Sequence, residues 1–190
     1  MKCDKKLRLA VGPDVQIKVD EDIFLKVLTL NDVARPYVEW LNDYEVIKFT
    51  EQKYFKNTLE NTKNFVSQKY NSGNDLLFGI FFDNKHVGNI KLGPIKFDHM
   101  SADVSYFIGE KKFWGRGIAS KCVKTIVQLA VTDLGLKKIN AGYYENNIGS
   151  AKVFEKCGFV VEGVRISDVI FEKKRINSVL VGYIPKFDQL

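Results

Sequence analysis

The spacing of hydrophobic residues changes several times along the chain, and each spacing predicts a different element. Residues 23–28 alternate between apolar and polar and predict a first strand. Apolar residues on one helical face predict a helix over 31–41, which residues 31 and 32 can cap. A second helix is predicted over 59–70. Residues 42–57 are rich in aromatics but poorly periodic, which is typical of a loop that covers a substrate or packs onto the core.

Three β-rich runs follow in close succession. Residues 76–82 and 86–92 are separated by the turn-forming residues 83–85 and predict a hairpin. A third run at 102–108 follows after a short connection. Strands joined by such short links pair antiparallel with their neighbours, so these three runs predict an antiparallel meander.

The hydrophobic period then becomes helical. Apolar residues recur every three or four positions from Ile118 to Ala130, and the helix that they predict ends near Gly135. Residues 138–144 form the next predicted strand. A strand, a helix and a strand in this order make a right-handed crossover, so strands 102–108 and 138–144 are predicted to be parallel.

The end of the chain adds one helix and two strands. A short helix over 150–156 is followed by Gly158, a residue type that commonly ends helices. Strands are predicted at 159–164 and 176–184. The predicted fold is therefore of the α/β (α+β) class, with a mixed, mostly antiparallel sheet that contains one parallel central pair and is flanked by helices.

Length and composition favour one domain with a core. The chain has 190 residues, 45% of them hydrophobic, and neither a repeat nor a linker divides it. We assign residues 1–22 to an N-terminal extension and residues 23–190 to the domain. Twenty-nine Lys and Arg against 23 Asp and Glu give a net charge of +6, which favours an anionic partner such as a nucleotide or a phosphate-bearing cofactor.

Cysteines and apolar runs indicate the compartment. Three cysteines lie far apart and give neither a disulfide framework nor a zinc site, and Cys122 and Cys157 are predicted to be buried. No apolar run approaches the roughly 20 residues of a bilayer span, and the start of the chain lacks the apolar stretch of a signal peptide. The sequence therefore predicts a cytoplasmic protein without a membrane partner.

Two glycines and a small residue stand where the crossover helix begins, in the run Phe113-Trp114-Gly115-Arg116-Gly117-Ile118-Ala119-Ser120. A glycine-rich turn at a helix start leaves backbone N–H groups free, and with the positive end of the helix dipole these groups bind anions. The run lacks the Gly-Lys-Ser/Thr of a Walker A loop and the third glycine of a dinucleotide fingerprint. It predicts a pyrophosphate site, with a plain strand-to-helix turn as the alternative.

Two motifs in this order resemble the GNAT superfamily of N-acetyltransferases. The family's Gln/Arg-x-x-Gly-x-Gly/Ala motif is similar to residues 114–119, with Trp114 in first place as in ribosomal-protein N-terminal acetyltransferases. The Asn-x-x-Ser…Glu-Lys-x-Gly-Phe signature is similar to residues 147–159. The resemblance covers about residues 23–184 and implies a single-domain acyl-CoA N-acyltransferase fold in which the central parallel pair is splayed.

The resemblance implies acetyl-CoA as cosubstrate, without a metal. The pantetheine arm would run between strands 102–108 and 138–144, along the backbone of the former. Residues expected to bind acetyl-CoA are Phe107, Ile108, Gly109, Gly115, Arg116, Gly117, Ile118, Ala119, Ser120 and Asn147. Asn147 also suits the N-cap of the last helix, and the two roles are compatible.

Acetyl transfer from a thioester to an amine needs a neutral amine and donors at the developing oxyanion, but no covalent enzyme intermediate. Asp103 occupies the place of an acidic general base in some relatives and would act through water, with a solvated aspartate as the alternative. His99 is a second candidate base, because imidazole titrates near neutral pH, although a loop histidine is commonly a surface residue. Ser150 could donate to the leaving thiolate or cap its helix, and Phe154 stands where many relatives carry a tyrosine for this role.

The acceptor is suggested by a further resemblance. Residues 40–43 and 87–95, followed by His99, are similar to bacterial acetyltransferases that modify nucleotide-linked amino sugars for surface polysaccharides. Such an amino sugar is the expected acceptor, N-termini of ribosomal or other proteins are the alternative, and polyamines or antibiotics follow. A non-enzymatic protein that binds CoA or nucleic acid is a different class, but the aromatics fit strand interiors rather than an RNA surface, so no nucleic acid is expected. The chain is expected to be a monomer or a homodimer.

Overall fold

The computed structural model describes residues 15–186, in which eight strands form one sheet in the order β1-β2-β3-β4-β5-β6-β8-β7. The strands are β1 Gln16–Lys18, β2 Ile23–Val27, β3 Leu76–Phe82, β4 Lys85–Lys96, β5 Ser101–Ile108, β6 Lys138–Tyr144, β7 Val160–Phe171 and β8 Lys174–Tyr183. The α-helices are α1 Arg35–Asn42, α2 Tyr44–Ile47, α3 Leu59–Tyr70, α4 Ile118–Thr132 and α5 Ile148–Lys156. Short 3-10 helices cover Leu30–Asp32, Glu51–Tyr54, Phe97–His99 and Lys111–Phe113.

The sheet has the predicted mixed topology. Strands β3, β4 and β5 form the antiparallel meander, and β5 and β6 are the parallel pair made by the crossover through α4. The parallel pairing joins residues 101–103 to residues 138–140 and extends no further. Every other neighbouring pair of strands in the described part of the sheet is antiparallel. The predicted fold class is therefore confirmed, and β5 and β6 separate after Asp103.

All the predicted elements are present, and the helix at 59–70 and the strands at 76–82 and 138–144 have the predicted bounds, whereas the bounds of the others differ. Helix α1 begins at Arg35 rather than at residue 31. Pro36 fits its first turn, where a missing N–H costs nothing. The Asp32 carboxylate accepts from the Thr29 backbone N–H at 2.8 Å, so it closes its own short turn instead of capping helix α1. Strand β7 also runs past the predicted end at residue 164, to Phe171.

The N-terminal extension assigned from the sequence contributes to the sheet. Residues 16–18 form β1, which pairs antiparallel with β2 at the edge of the sheet. Residues 1–14, which make up most of that extension, lie outside the described residues, as do residues 187–190.

The structure also bears on the predictions about cysteines, metal sites and membrane-spanning helices. Cys122 and Cys157 are free and buried, as predicted, and Cys3 lies outside the described residues. Between residues 15 and 186, no group of three or more His, Cys, Asp or Glu side chains is arranged to hold a metal ion. Within the same residues, no helix combines the length and the apolar character needed to cross a bilayer.

The sheet separates two hydrophobic cores, and neighbouring residues of β3 face one core each. Phe78 lies fully buried in the larger core with Ile126 of α4 and Ile139 of β6. Leu77 belongs to the smaller core, which α1, α2 and α3 cover. Alternating residues of a strand point to opposite faces, so one apolar strand supplies both cores. The larger core holds α4 against the central strands, and the smaller core holds α1 and α2 near the C-terminal end of β5.

His86 lies among aromatic rings beside the smaller core. Its ring is 5.1 Å from the rings of Trp40 and Phe81 and 5.6 Å from that of Tyr37. Its Nε2 is 2.7 Å from Asn89 Oδ1 and 3.0 Å from the Gly88 carbonyl oxygen, so Nε2 carries a proton and donates to these acceptors. Burial lowers the pKa of His86, because the charged imidazolium would be desolvated there.

We expect this buried histidine to make folding stability depend on pH. The unfolded chain binds a proton at His86 near pH 6.5, whereas the folded chain does so only at lower pH, so the free energy of unfolding falls as pH drops from 7 to 5. The slope from one such group is at most about 1.4 kcal/mol per pH unit. His86→Gln should flatten the slope measured by urea unfolding, and His99→Gln, at an exposed position, is the matched control. An unchanged slope in His86→Gln would assign the pH dependence to other groups.

Candidate active site

The separation of β5 from β6 opens a cavity of about 920 Å³ in the middle of the sheet. Its walls come from residues 104–108 of β5, residues 142–144 of β6, the start of α4 and the inner face of α5. Residues 45–51 and the paired strands β7 and β8 close one end. The cavity has the volume typical of small-ligand sites, and the two central strands bring distant parts of the sequence to it.

The open edge of β5 carries unpaired backbone groups. The Gly109 N–H donates to the Val87 carbonyl of the neighbouring strand β4, at 2.8 Å. The backbone N–H and C=O groups of successive residues point to alternate sides of a strand. The backbone groups of Phe107 therefore also face β4, whereas those of Tyr106 and Ile108 face the cavity. The Ile108 carbonyl accepts a 2.8 Å hydrogen bond from the indole N–H of Trp114, which ties the glycine-rich turn to the strand. The N–H groups of Tyr106 and Ile108 are therefore directed towards the opening.

A helix start forms one end of the cavity. Gly115 and Gly117 have φ angles of +74° and +76°, in the left-handed region that favours glycine. Gly117 is the N-cap of α4 and provides no side-chain cap, and the first amides of a helix have no intrahelical acceptor. Gly117 and the next three residues line the cavity. Their N–H groups and the helix dipole make this end a site for an anion.

Helix α5 adds positive charge at the same end. Asn147 is its N-cap and accepts from the Ser150 N–H at 3.1 Å, so the capping role predicted for Asn147 is confirmed. Lys152 and Lys156 line the cavity from this helix. A contact of 3.3 Å between Cys157 Sγ and the Ser120 carbonyl oxygen holds the end of α5 against the start of α4. The two lysines therefore lie near the free helix amides.

The opposite end of the cavity is acidic and aromatic. Glu51 accepts a 2.6 Å hydrogen bond from the hydroxyl of Tyr144, and burial together with this carboxylate raises the pKa of Tyr144. Asp168 accepts a hydrogen bond from the Ser178 hydroxyl. The ring of Phe49 packs edge to face on Tyr144, with ring centres 6.4 Å apart. All five residues line the cavity, together with Glu45 and Lys48, whose charges pair with each other. The carboxylates of Glu51 and Asp168 therefore suit a cationic or neutral amine better than an anion.

The position of Asp168 depends on an irregularity of β7. Arg165 pairs with Ser178 and Val169 with Ile176, so β7 contains two extra residues between these pairs. Ser167 has a φ of +53°, and its N–H donates to the Asn177 side chain at 2.8 Å. Such a bulge turns side chains away from the regular alternation of a strand. It places the carboxylate of Asp168 on the cavity wall.

The segment that covers the acidic end is closed at its base. Asn42 donates from its side chain to the Asn57 carbonyl at 2.8 Å, and its side-chain oxygen accepts from the Asn57 N–H at 3.0 Å. Residues 45, 46 and 48–51 of this segment line the cavity, in agreement with the covering role predicted for 42–57. Val46 and Ile47 are buried in the smaller core, so the segment both packs and covers.

The cavity brings together most of the predicted site residues. Those that line it are Phe107, Ile108, Gly115, Gly117, Ile118, Ala119, Ser120, Asn147 and Ser150. Gly109 lies behind the wall, where an added Cβ would overlap the Trp40 indole. The Arg116 guanidinium lies 5.2 Å from the ring centre of Phe113, outside the lining.

The structure does not bring the two predicted bases to the cavity. Asp103 is the last residue of β5 that pairs with β6, where it lies opposite Asn140. The residues of β5 that line the cavity begin at the next position. His99 is exposed in the 3-10 helix that precedes β5. Glu51, Tyr106 and Asp168 line the cavity, although the sequence analysis assigned no role to them. The available signal for Asp168 was two adjacent polar residues, Ser167 and Asp168, which interrupt the alternation of a strand.

Comparison with known proteins defines the family. The profile described as "Acetyltransferase (GNAT) domain" matches residues 22–160, and the chain therefore belongs to this family. The "Probable N-acetyltransferase YjcK" of Bacillus subtilis (strain 168) is 33% identical over 110 residues, which make up 54% of this chain and 60% of that protein. The "SPbeta prophage-derived uncharacterized N-acetyltransferase YokL" of the same strain is 23% identical over 154 residues, 80% of this chain and 84% of that protein.

Solved structures share the fold. The microcin C7 self-immunity acetyltransferase MccE, in complex with acetyl-CoA and AMP, has a TM-score of 0.77 at 20% identity and covers 93% of this chain and 99% of its own. RimL, a ribosomal L7/L12 α-N-protein acetyltransferase in complex with CoA, has a TM-score of 0.81 at 16% identity, with coverages of 92% and 100%. The Vibrio cholerae spermidine N-acetyltransferase with CoA and spermine has a TM-score of 0.78 at 18% identity, with coverages of 87% and 96%.

Proposed function

We propose that this protein transfers the acetyl group of acetyl-CoA to a primary amine by direct attack within a ternary complex. The observation that carries the proposal is the polarity of one cavity. Free helix amides and two lysines form one end, and the carboxylates of Glu51 and Asp168 lie at the other. The phosphates of CoA and a reacting amine need these opposite environments, and the open edge of β5 lies between them.

The donor would bind at the helix start and along β5. The N–H groups of Ile118, Ala119 and Ser120 would hold the pyrophosphate, because they lack other acceptors and stand at the positive end of α4. The pantetheine arm would pair with the exposed backbone of Tyr106 and Ile108, as a strand adds to an open sheet edge. A backbone N–H from the same edge would also stabilise the oxyanion that develops on the thioester.

Asp168 is the proposed general base. The amine nitrogen attacks the acetyl carbonyl carbon, the C–S bond breaks with its electron pair on sulfur, and the amine gives up a proton to the Asp168 carboxylate. Ser178 holds one carboxylate oxygen of Asp168 and leaves the other free to accept. Glu51 likewise has one carboxylate oxygen engaged, by the Tyr144 hydroxyl, so Glu51→Gln is the comparison that distinguishes the two carboxylates.

The proposed acceptor is a nucleotide-linked amino sugar. Its sugar would pack on the rings of Phe49 and Tyr144, with its amine near Asp168. Just outside, the Lys53 ammonium lies 3.1 Å from the Ile170 carbonyl oxygen. Lys173 lies in the exposed turn between β7 and β8, and Lys174 and Arg175 are the first residues of β8. This basic group would hold a diphosphate. The AMP in the MccE complex shows that a protein of this fold accommodates a nucleotide besides acetyl-CoA.

A polyamine is the second candidate, and the charge of the cavity favours it. Glu51 and Asp168 are two carboxylates at one end, an arrangement that suits a ligand with a second ammonium group. The Vibrio cholerae relative in fold was solved with spermine. A protein N-terminus, as in RimL, is the remaining alternative. The basic turn distinguishes these candidates, since only an acceptor with phosphates would use it.

We expect CoA release with a nucleotide-linked amino sugar and little release with the other amines. The assay compares a nucleotide-linked amino sugar, spermidine and a peptide with a free α-amino group at equal concentration, with free thiol as the readout. Release only with spermidine or only with the peptide would replace the acceptor class and keep the transferase. Wild-type protein that releases no CoA with any of the three would overturn the proposed function.

A charge-removing variant makes the same assay sharper. Lys173→Asn with Lys174→Ser should raise KM for the phosphate-bearing acceptor by about tenfold and leave KM for acetyl-CoA unchanged, because the loss concerns phosphate contacts alone. Lys63→Ser is the matched control, since Lys63 is an exposed residue of α3, outside the cavity lining. Equal KM values in the turn variant and in the control would remove the basic turn from the acceptor site.

A further inference from the structure

A phenol and a hydroxyl face each other across the cavity. Tyr106 lies on β5 and Ser150 on α5, and the Tyr106 hydroxyl donates to Ser150 Oγ at 3.3 Å. Both residues line the cavity, and Tyr106 is half-buried. The contact joins the open edge of β5, along which the donor arm would run, to the helix that carries the second motif. The donor arm would use only the backbone of Tyr106, so the phenol of this residue has no role in the acetyl transfer described so far.

Surrounding side chains hold both groups in place. The ring of Phe154 packs edge to face on Tyr106, with ring centres 5.8 Å apart, and so restricts the phenol from the α5 side. The backbone of Ser150 is fixed, because its N–H donates to the Asn147 side chain. Burial raises the pKa of Tyr106 to about 12, so the phenol remains protonated and able to donate at neutral pH.

We propose that Tyr106 is a positioning residue that directs the Ser150 hydroxyl at the leaving sulfur of CoA. When the phenol donates to Ser150 Oγ, one lone pair of that oxygen is occupied, and the serine proton is free to point into the cavity. As the C–S bond breaks, the electron pair collects on sulfur, and the serine O–H donates a hydrogen bond to it. No proton needs to transfer, because a thiolate whose pKa is near 8.5 is a stable leaving group.

A donor supplied in this way explains how the chain accommodates Phe154. That position of α5 has no hydroxyl, and the Phe154 ring instead packs between Tyr106 and Tyr143. The hydroxyl pair thus enters the cavity from β5 and from the first turn of α5. Hydrogen bonds in a chain polarise each other, so the Tyr106 contact also makes Ser150 a better donor. This inference rests on the proposed function, because it needs a thioester in the cavity.

The test is a double-mutant cycle with Tyr106→Phe and Ser150→Ala. Each single variant should lower kcat by about tenfold and leave KM for acetyl-CoA and the Kd of CoA within about twofold, because the hydrogen bond forms fully only in the transition state. The double variant should be no slower than Ser150→Ala alone, since Tyr106 acts through Ser150. Tyr183→Phe is the matched control, because Tyr183 packs on Phe159 behind Phe154, is not among the residues that line the cavity, and should keep the wild-type kcat.

Each result of the double-mutant cycle either supports or overturns the role of Tyr106. Wild-type kcat in Tyr106→Phe overturns the inference and leaves the transferase intact. Losses that multiply in the double variant show that Tyr106 acts independently of Ser150 and also overturn it. An equal loss in Tyr183→Phe shows that removing a phenol outside the cavity has the same effect, and it also overturns the inference. Failure of the proposed function is recognised separately, as absence of CoA release by the wild-type protein with every amine.

Discussion

Gly117→Val weakens the binding of acetyl-CoA by more than tenfold, or about 1.4 kcal/mol. Gly117 lines the cavity at the start of α4, and nothing lies within 4 Å of the position that its Cβ would take. A branched side chain would therefore project into the space where the pyrophosphate approaches the helix amides. Calorimetric titration of the folded variant with acetyl-CoA measures the change.

Gly135→Val separates this loss of binding from a loss of folding. Gly135 has a φ of +69°, close to the +76° of Gly117, and its Cβ would also meet nothing within 4 Å. Both variants place a side chain in the left-handed region and should lose about 1–2 kcal/mol of folding stability. Gly135 is not among the residues that line the cavity, so its variant should bind acetyl-CoA normally. Equal affinity in the two variants would remove the phosphate site from the start of α4.

Asp168→Asn is expected to lower kcat by about 10²–10⁴-fold, with little change in the affinity for acetyl-CoA. The amide keeps the size of the side chain and can still accept from Ser178, but it cannot take a proton from the amine. The measurement is the pH–rate profile at saturating acetyl-CoA. Wild-type turnover in this variant across pH 6 to 9 would exclude the Asp168 carboxylate as the base.

Two further variants test whether the general base is Asp168 or one of the two residues predicted from the sequence. Asp103→Asn and His99→Gln alter the bases predicted from the resemblance, and neither residue lines the cavity. Both should therefore retain most of the wild-type kcat between pH 6 and 9. A large loss in Asp103→Asn together with normal turnover in Asp168→Asn would restore Asp103 as the base and place the amine at the paired end of β5.

Local patterns account for the elements that the sequence predicted well. Strand β3 and helix α3 have the predicted bounds, because a short apolar run and a helical period are local patterns. The parallel pairing of β5 and β6 was also predicted, since the handedness of a crossover is a general rule. The glycine-rich turn could also be predicted, because all its residues are contiguous in the sequence.

The acidic end of the cavity could not be predicted in this way. Glu51 contacts Tyr144, 93 positions further along the chain, and no local period reports such a contact. Asp168 reaches the cavity only because β7 contains two extra residues, whereas a regular alternation sets no such position. Tyr106 was treated as part of a strand, and its partner Ser150 lies 44 positions away. Motif resemblance supplied the donor site, but the acceptor side depends on long-range packing.

The reciprocal hydrogen bonds between Asn42 and Asn57 make the covering segment a unit that can diverge on its own. Because its two ends are fixed to each other, changes within the segment alter its contacts with Tyr144 and Ile170 and leave the phosphate site at the start of α4 in place. Only Val46 and Ile47 must remain apolar, since they belong to the smaller core. Evolution could therefore exchange acceptors by altering this segment and keep the donor machinery unchanged. Loop grafting between relatives could do the same if it retained the two asparagines.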